Sequence, residues 1–241
     1  MKHFSRWALI LCTLIVFLTP LVSSSLAGES PAGQSTSAQS TTSQNAASMR
    51  PTSEPYTGDL SVFDHPGRDK RLQIDRVMKI LGVSPGKSVA DIGAGSGWFT
   101  VRAARRVAAK GGSGVVYAVD INPDAVHYID DRAHKESLSN IKTILSKPDD
   151  PMLPPASVDA VLLLKTYHEV ADPVALLEHL RPALRPGARV GVIDRNGNGT
   201  DHGISSKIVI EEAEKAGYRY LKTYDFVKAD KVDYFLVFGV R

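Results

Sequence analysis

The fold of this chain is indicated most clearly by the residues Val89-Ala90-Asp91-Ile92-Gly93-Ala94-Gly95-Ser96-Gly97. Residues 88–92 predict a short buried strand that runs straight into three glycines at alternate positions. Residues 98–109 follow as an Ala-rich segment that is typical of a helix. Glycines at such a junction let the backbone turn tightly and let a ligand approach it, because no Cβ stands in the way. The stretch therefore predicts a strand–loop–helix unit with a ligand at the loop.

Strand and helix patterns alternate on both sides of this loop. Further strands are predicted at residues 115–120, 141–145, 158–164 and 189–194, further helices at residues 68–81, 123–135, 173–184 and 205–216, and a terminal strand pair at residues 218–227 and 232–240. This alternation indicates βαβ units. We expect an α/β fold, Rossmann-like and doubly wound, whose mostly parallel sheet ends in a C-terminal antiparallel strand pair. Ligands of such sheets bind outside the carboxyl ends of the strands.

The spacing of the glycines separates two classes of ligand. A dinucleotide fingerprint reads G-x-G-x-x-G, and counting from Gly93 its last position falls on Trp98. A tryptophan there would obstruct helix–strand packing and the approach of a pyrophosphate, which disfavours an NAD-dependent oxidoreductase. The spacing found, D-x-G-x-G-x-G from Asp91 to Gly97, resembles the first motif of the class I S-adenosylmethionine-dependent methyltransferases.

The resemblance extends over most of residues 64–241 and implies S-adenosylmethionine as the cofactor. In that family the glycines pass beneath the methionine part, and the leading acid holds the amino group. Asp120, at the end of the second strand, is placed to accept the ribose hydroxyls, and Ile121 would pack on the adenine. Asp149 and Asp150, which follow the third strand, are equal candidates to accept a hydrogen bond from the adenine amino group. The implied cofactor-binding residues are Asp91, Gly93, Ala94, Gly95, Gly97, Asp120, Ile121, Asp149 and Asp150.

The segment after the fourth strand carries the candidate catalytic residues. Tyr167-His168-Glu169 resembles the corresponding loop of small-molecule methyltransferases of the ubiquinone-biosynthesis type. A histidine has the intrinsic pKa range of a general base, so His168 could take a proton from the acceptor, and Tyr167 could face the methyl group. The alternatives are a loop histidine that fixes backbone geometry and a tyrosine that only packs. Lys165 departs from the uncharged or acidic residue common here, which leaves open a domain that binds the cofactor without turnover.

Residues 63–69 precede the first helix and could lie over the cofactor as a lid. They include His65, which has no nearby His or Cys partner and so does not look like a metal ligand. The only cysteine, Cys12, lies in the apolar N-terminal run. The sequence therefore predicts no metal site.

The first 27 residues have the order of a secretory signal peptide. Lys2 and Arg6 precede an apolar run, and small residues at the −3 and −1 positions predict cleavage after Ala27. A retained membrane anchor is the alternative, but the run is short and contains Pro20. Residues 28–53 are rich in Ser, Thr and Gln and predict a disordered linker, and residues 54–241 form the methyltransferase domain. We expect an exported protein, periplasmic or secreted.

Charge and composition restrict the classes of binding partner that this chain can have. The 241 residues are 43% hydrophobic with a net charge of +3, and two of the positive charges lie in the signal segment. A nearly neutral domain lacks the electrostatic footprint of a nucleic-acid binder. We expect a small-molecule substrate, no nucleic acid and no membrane association after cleavage of the signal, and the oligomeric state stays open.

Overall fold

The computed structural model describes residues 50–227 and 232–240. The predicted signal segment and residues 28–49 of the predicted linker lie outside these ranges. Within them, no helix is both long and apolar enough to cross a membrane.

Strands and helices alternate along the described chain. The strands are β1 Val89–Ile92, β2 Val116–Asp120, β3 Ile141–Leu145, β4 Val158–Leu164, β5 Leu184–Arg195, β6 Tyr218–Tyr224 and β7 Asp233–Val240. The helices are α1 Arg68–Leu72, α2 Ile74–Leu81, α3 Trp98–Ala108, α4 Pro123–Lys135, α5 Pro173–Leu180 and α6 Ser206–Lys215. Short 3₁₀ helices occupy Leu60–Asp64, Ala109–Gly111, Tyr167–Glu169 and Arg181–Ala183.

The strands form one sheet in the order β3-β2-β1-β4-β5-β7-β6. The pairs from β3 to β5 are parallel, and β7 runs antiparallel to both β5 and β6. The predicted fold class is confirmed, including the antiparallel C-terminal pair. The strand order reverses between β1 and β4, and this reversal marks where a ligand binds in an open parallel sheet.

The central strand β4 is buried on both of its faces. Val161 and Leu163 pack into one apolar core with α5 and α6, whereas Ala160 and Leu162 pack into a second core with α2 and α3. A strand covered on both sides needs apolar residues at successive positions, which explains the uninterrupted apolar run in the sequence. The two cores hold the ends of β1 and β4 at fixed positions beneath the ligand site.

Several predicted boundaries differ from the structure, most clearly around α1, α5 and β5. The helix predicted over residues 68–81 is broken at Gln73, whose φ of 48° is left-handed and whose side chain donates to the carbonyl of Phe226. The helix predicted to reach residue 184 ends at Leu180, because Pro182 has no N–H for the helical ladder. Strand β5 correspondingly begins at Leu184 instead of residue 189.

The folded domain begins before residue 54. The linker predicted over residues 28–53 therefore extends too far towards the C-terminus. The Arg50 guanidinium forms an ion pair with Glu212 at 3.0 Å. The Ser53 backbone N–H donates to the carbonyl of His168 at 3.2 Å, and its hydroxyl donates to the carbonyl of Gly199 at 3.0 Å. Residues 50–53 are attached through polar contacts, which a search for apolar side chains in the sequence could not detect.

Candidate active site

A cavity of about 870 Å³ opens at the carboxyl ends of β1, β2 and β4. It lies where the strand order reverses, as a doubly wound sheet requires. Its volume is near the upper end of the range for small-molecule sites, which gives room for a cofactor together with a second molecule. Of the predicted cofactor-binding residues, it is lined by Asp91, Gly93, Ala94, Gly95, Asp120 and Ile121.

The three glycines of the loop after β1 have different structural roles. A Cβ on Gly93 would lie 2.2 Å from the Thr166 hydroxyl oxygen, so this position needs glycine to pack against the segment after β4. A Cβ on Gly97 would lie 3.0 Å from Ile129 of α4, and Gly97 faces this helix contact and not the cavity. Gly95 lines the cavity, with only the Phe63 ring within 3.6–3.8 Å of an added Cβ.

Asp120 is held against the glycine loop by backbone donors. Its two carboxyl oxygens accept from the N–H groups of Gly95 at 2.8 Å and Asn122 at 2.9 Å. Burial raises the pKa of Asp120, against the opposing effect of these hydrogen bonds. Next to it, Ile121 has an exposed fraction of 42% although it is a large apolar residue. The end of β2 therefore presents a fixed carboxyl group beside an apolar surface.

Asp91 lies deeper, with an exposed fraction of 2%. The Thr100 hydroxyl donates to its carboxyl group at 2.6 Å. Burial raises the pKa of Asp91 to about 7, although this hydrogen bond and the nearby Arg68 guanidinium oppose the shift. Burial also lowers the pKa of Arg68 to about 10. A buried acid of this kind favours a cationic ligand group, because a nearby positive charge stabilises the ionised carboxylate.

The two acids predicted to contact adenine lie outside the cavity lining. Ser146 and Lys147 line it instead, whereas the Asp150 carboxyl group accepts from the backbone of Met152. The Asp149 carbonyl accepts from the His179 ring at 2.7 Å. Neither Asp149 nor Asp150 lines the cavity, so their contact with the adenine amino group stays a prediction.

The structure places only one of the two predicted catalytic residues, Tyr167 and His168, in the cavity lining. Tyr167 is fully buried, its hydroxyl donates to Glu212 at 2.9 Å, and it does not line the cavity. Its assignment to the methyl group is therefore corrected to a packing role. His168 does line the cavity, and its Nδ1 lies 3.0 Å from both carboxyl oxygens of Asp194. Its catalytic role stays a prediction.

Comparisons with known proteins agree with this geometry. Residues 89–187 match a family model described as a methyltransferase domain. The demethylmenaquinone methyltransferase of Tropheryma whipplei is 33% identical over 116 residues, which cover 48% of this chain and 45% of that protein. The 2-phytyl-1,4-naphtoquinone methyltransferase of Trichormus variabilis is 28% identical over 125 residues, which cover 52% of this chain and 53% of that protein. The chain thus spans about half the length of the curated relatives it matches.

A solved structure extends the similarity to most of the domain. The crystal structure of a S-adenosylmethionine-dependent methyltransferase from Aquifex aeolicus superposes with a TM-score of 0.68 at 25% identity, covering 77% of this chain and 100% of that one. The described domain is similar in sequence and in fold to S-adenosylmethionine-dependent methyltransferases. The predicted family and the predicted cofactor, S-adenosylmethionine, are confirmed, and the NAD-dependent alternative is set aside.

The methyltransferase domain covers its cofactor loop with the segment before α1. Phe63 lies over Gly95 and packs edge-on against Tyr56 at 5.0 Å between ring centroids. The neighbouring Asp64 is fastened to the body of the domain, because its carboxyl group pairs with Arg132 at 2.8 Å and accepts from the Ser96 hydroxyl. The lid position predicted for residues 63–69 therefore corresponds to cavity-lining residues with a defined anchor.

Three residues of the methyltransferase domain that the sequence analysis missed surround His168. Asp194 ends the buried part of β5 and holds the imidazole, His202 follows in the next loop, and Ser53 precedes the predicted domain start. An acid at the end of an apolar strand is a signal that could have identified Asp194. Nothing local to residues 53 or 202 could have done so, since they meet His168 only through the fold.

Lys165, which departs from the family pattern, has an ion-pair partner. Its ammonium group lies 2.7 Å from the Asp233 carboxyl group, which is contributed by β7. Its backbone is left-handed, with φ 59°, and its N–H donates to the carbonyl of Ile193. The positive charge is therefore balanced within the domain by an acid of the antiparallel strand pair.

Proposed function

We propose that this domain transfers the methyl group of S-adenosylmethionine to a small, largely apolar acceptor. The observation that carries the proposal is the composition of the single cavity described above. We call the part of its lining with the glycine loop, Asp91 and Asp120 the cofactor side. The second side, the acceptor side, combines apolar and aromatic side chains with the polar groups of His168, Glu169 and His202. That second side includes Pro55, Tyr56, Leu60, Phe63, Val170 and Leu176. An apolar wall beside a cofactor site favours a ring or chain compound over a charged polymer.

The chemistry assigned to the domain is an in-line displacement. A nucleophilic atom of the acceptor forms a bond to the methyl carbon, and the carbon–sulfur bond breaks with its electron pair on sulfur, giving S-adenosylhomocysteine. The protein contributes orientation and accepts or releases the acceptor's proton. His168 is suited to act at the acceptor, because an Nδ1–H donated to Asp194 leaves the lone pair of Nε2 for a ligand.

The names of the relatives support an aromatic acceptor. Two of them act, by name, on demethylmenaquinone and on a phytyl naphthoquinone. The alignments cover only about half of each of these proteins, so we propose an aromatic ring compound as the acceptor and not a particular quinone. A cavity side that carries Tyr56 and Phe63 is compatible with stacking on such a ring.

Binding and turnover test the proposal in sequence. Calorimetry with S-adenosylhomocysteine and with NAD should give a Kd for the sulfur ligand only. Incubation with methyl-labelled S-adenosylmethionine and a panel of small hydroquinones and phenols should then transfer label to one of them. A domain that binds neither sulfur ligand contradicts the proposal. Cofactor binding without label transfer to any acceptor would favour a domain that binds without turnover.

We also propose that the protein is exported and that the signal is removed after Ala27. The order of Lys2 and Arg6, the apolar run and the small residues at the cleavage site support this. N-terminal sequencing of protein from its native host should find Gly28 first, in a fraction outside the cytoplasm. Met1 or Lys2 at the start of a cytoplasmic protein would contradict the proposal.

A further inference from the structure

Three potential ligand side chains meet at one point of the cavity wall. His168, Glu169 and His202 each offer an atom such that all three atoms lie within 4.8 Å of one another. His168 and Glu169 come from the 3₁₀ helix after β4, and His202 comes from the loop between β5 and α6. All three residues line the same cavity as the cofactor residues. Two imidazoles and one carboxylate form a common ligand set for divalent transition metals.

The orientation of His168 matches that of a metal ligand. Its Nδ1 lies 3.0 Å from both carboxyl oxygens of Asp194, and its Nε2 lies 3.8 Å from the Glu169 carboxyl group. A carboxylate that accepts from one ring nitrogen fixes the tautomer and presents the other nitrogen to the metal. Asp194 is itself fully buried and accepts from the backbone N–H groups of His168 and Arg195. This support lies behind the imidazole, on the side away from Glu169.

The loop that carries His202 is also anchored at this point. The His202 N–H donates to the Ser53 hydroxyl at 3.0 Å, and Ser53 in turn donates to the carbonyls of Gly199 and His168. The His202 backbone is left-handed, with φ 55°, a conformation that a side chain other than Gly adopts at some cost. The ring stands edge-on to that of His168 at 5.8 Å between centroids. Three distant segments therefore converge on the cluster.

We infer that His168, Glu169 and His202 bind one divalent transition-metal ion of the zinc type. Ligand atoms around Zn²⁺ stand about 2.0–2.2 Å from the ion, and hence roughly 3.3 Å from one another. The three atoms lie within 4.8 Å of one another, so the ligands must approach one another by up to about 1.5 Å, which the exposed side chain of His202 allows. Mg²⁺ and Ca²⁺ prefer oxygen ligands, so a site with two imidazoles disfavours both.

The proposed function gives this ion a chemical role, and this part of the inference rests on that function. Three protein ligands leave positions for water or for an oxygen of the acceptor. An acceptor hydroxyl bound there loses its proton more easily, because the metal stabilises the oxyanion. The released proton leaves to solvent, and the bound oxygen is held as the nucleophile for the methyl carbon. His168 then acts as a ligand to the ion and not as the base itself.

Metal titration of the full chain, without a polyhistidine tag, tests the site directly. Calorimetry with Zn²⁺ alone on EDTA-treated and desalted protein should give one ion per chain. Co²⁺ should then give the visible absorption bands of a protein-bound ion. His202→Ala and Glu169→Gln should each weaken Zn²⁺ binding at least tenfold, since even residues that only support a metal ligand are worth 10–100-fold. His127→Ala, an exposed histidine of α4, is the matched control and should bind as the wild type does.

The outcomes separate this inference from the proposed function. Wild-type protein that takes up no stoichiometric Zn²⁺ overturns the metal site. So does Zn²⁺ binding that His202→Ala and Glu169→Gln leave unchanged, because the ion then lies elsewhere. The same metal-free protein is titrated with S-adenosylhomocysteine. Binding of the sulfur ligand without Zn²⁺ leaves the proposed function standing alone, and Zn²⁺ binding at the cluster without the sulfur ligand leaves the metal site standing alone.

Discussion

The two sides of the cavity are built in different ways. The cofactor side comes from short contiguous stretches at the ends of β1 and β2, where Gly95 and Asp120 are joined by one hydrogen bond. The acceptor side joins segments far apart in the chain, as in the bond between Ser53 and Gly199, 146 residues away. A local motif can encode the first kind of site, whereas the second exists only after folding. This difference predicts which substitutions weaken cofactor binding and which affect only the acceptor side of the cavity.

The largest effect is expected at Gly93, where the two sides touch. Gly93→Ala would place a Cβ 2.2 Å from the Thr166 hydroxyl oxygen, in a backbone with φ 68°. The left-handed conformation costs an L-residue about 1–2 kcal/mol, and overpacking adds about 1–3 kcal/mol. We expect the free energy of unfolding to fall by about 3 kcal/mol and the affinity for S-adenosylhomocysteine to fall more than a hundredfold. Denaturant unfolding and calorimetry measure the two quantities.

Gly95→Ala is the matched control for this substitution. Its backbone is also left-handed, with φ 54°, but an added Cβ meets only the Phe63 ring at 3.6 Å. The conformational cost is then the same and the steric clash is absent, so the loss of stability should be clearly smaller than at Gly93. Equal destabilisation by both substitutions would show that the Thr166 contact does not matter.

The second expected effect is confined to the cofactor side. Asp120→Ala removes a carboxyl group that we predict to accept from the ribose hydroxyls and that accepts from the Gly95 N–H. Losing a charge-assisted hydrogen bond costs roughly 1.5–3 kcal/mol, or about ten- to hundredfold in affinity. Asp120→Asn keeps one acceptor oxygen and should lose less. Calorimetry with S-adenosylhomocysteine distinguishes them, and wild-type affinity in Asp120→Ala would mean that the ribose lies elsewhere.

The third prediction concerns pH, and it also separates the two sides. Burial raises the pKa of Asp91 to about 7, so the free domain holds this group protonated below pH 7. An ammonium group of the cofactor requires the charged form, so binding must release the proton. Affinity for S-adenosylhomocysteine should fall about fivefold between pH 7 and pH 6 and level off above about pH 8.

Asp91→Asn provides the control for this pH dependence. The variant should bind more weakly at pH 8 and show no slope between pH 6 and pH 7. Without cofactor, stability changes with pH in the opposite direction to affinity. The reason is that the pKa of Asp91 in the folded domain lies above its ordinary value of 3.8. The free energy of unfolding that depends on Asp91 therefore decreases as pH rises from about 4 to about 7. A slope of affinity that persists in Asp91→Asn would assign it to another group.

The sequence was informative where local rules decide the structure. The strands β3 and β4 and the helix α4 were predicted with the bounds observed, because apolar runs and the Asn122-Pro123 cap act locally. Asp149 and Asp150 could not be placed, because loop direction depends on contacts such as that of His179 with the Asp149 carbonyl. The cluster around His168 could not be predicted from the sequence either. The order of the strands in the sheet, and not a local motif, brings His202 close to His168.

The last effect is expected at the start of the domain, where the polar contacts of residues 50–53 can be separated from the rest of the predicted linker. Deleting residues 28–49 should leave the Tm unchanged, as their composition predicts. Deleting residues 28–53 also removes the Arg50–Glu212 ion pair and the Ser53 hydrogen bonds. A hydrogen bond to a charged group contributes about 2 kcal/mol, which corresponds to a Tm lower by roughly 4–8 °C in a domain of this size.

Arg50→Met tests the same contact with less disturbance, since it keeps an unbranched apolar side chain and removes the guanidinium, which lies 5.3 Å from the centre of the Tyr167 ring and donates to the Tyr167 carbonyl. Its loss of Tm should be most of that caused by the longer deletion. Burial raises the pKa of Glu212 and the Arg50 charge opposes the shift, so without Arg50 the acid stays protonated to higher pH. The difference in Tm between Arg50→Met and the wild type should therefore shrink as pH is lowered towards 5. A pH-independent difference would mean that Arg50 stabilises the domain through its hydrogen bond to the Tyr167 carbonyl and its packing, and not through the ion pair.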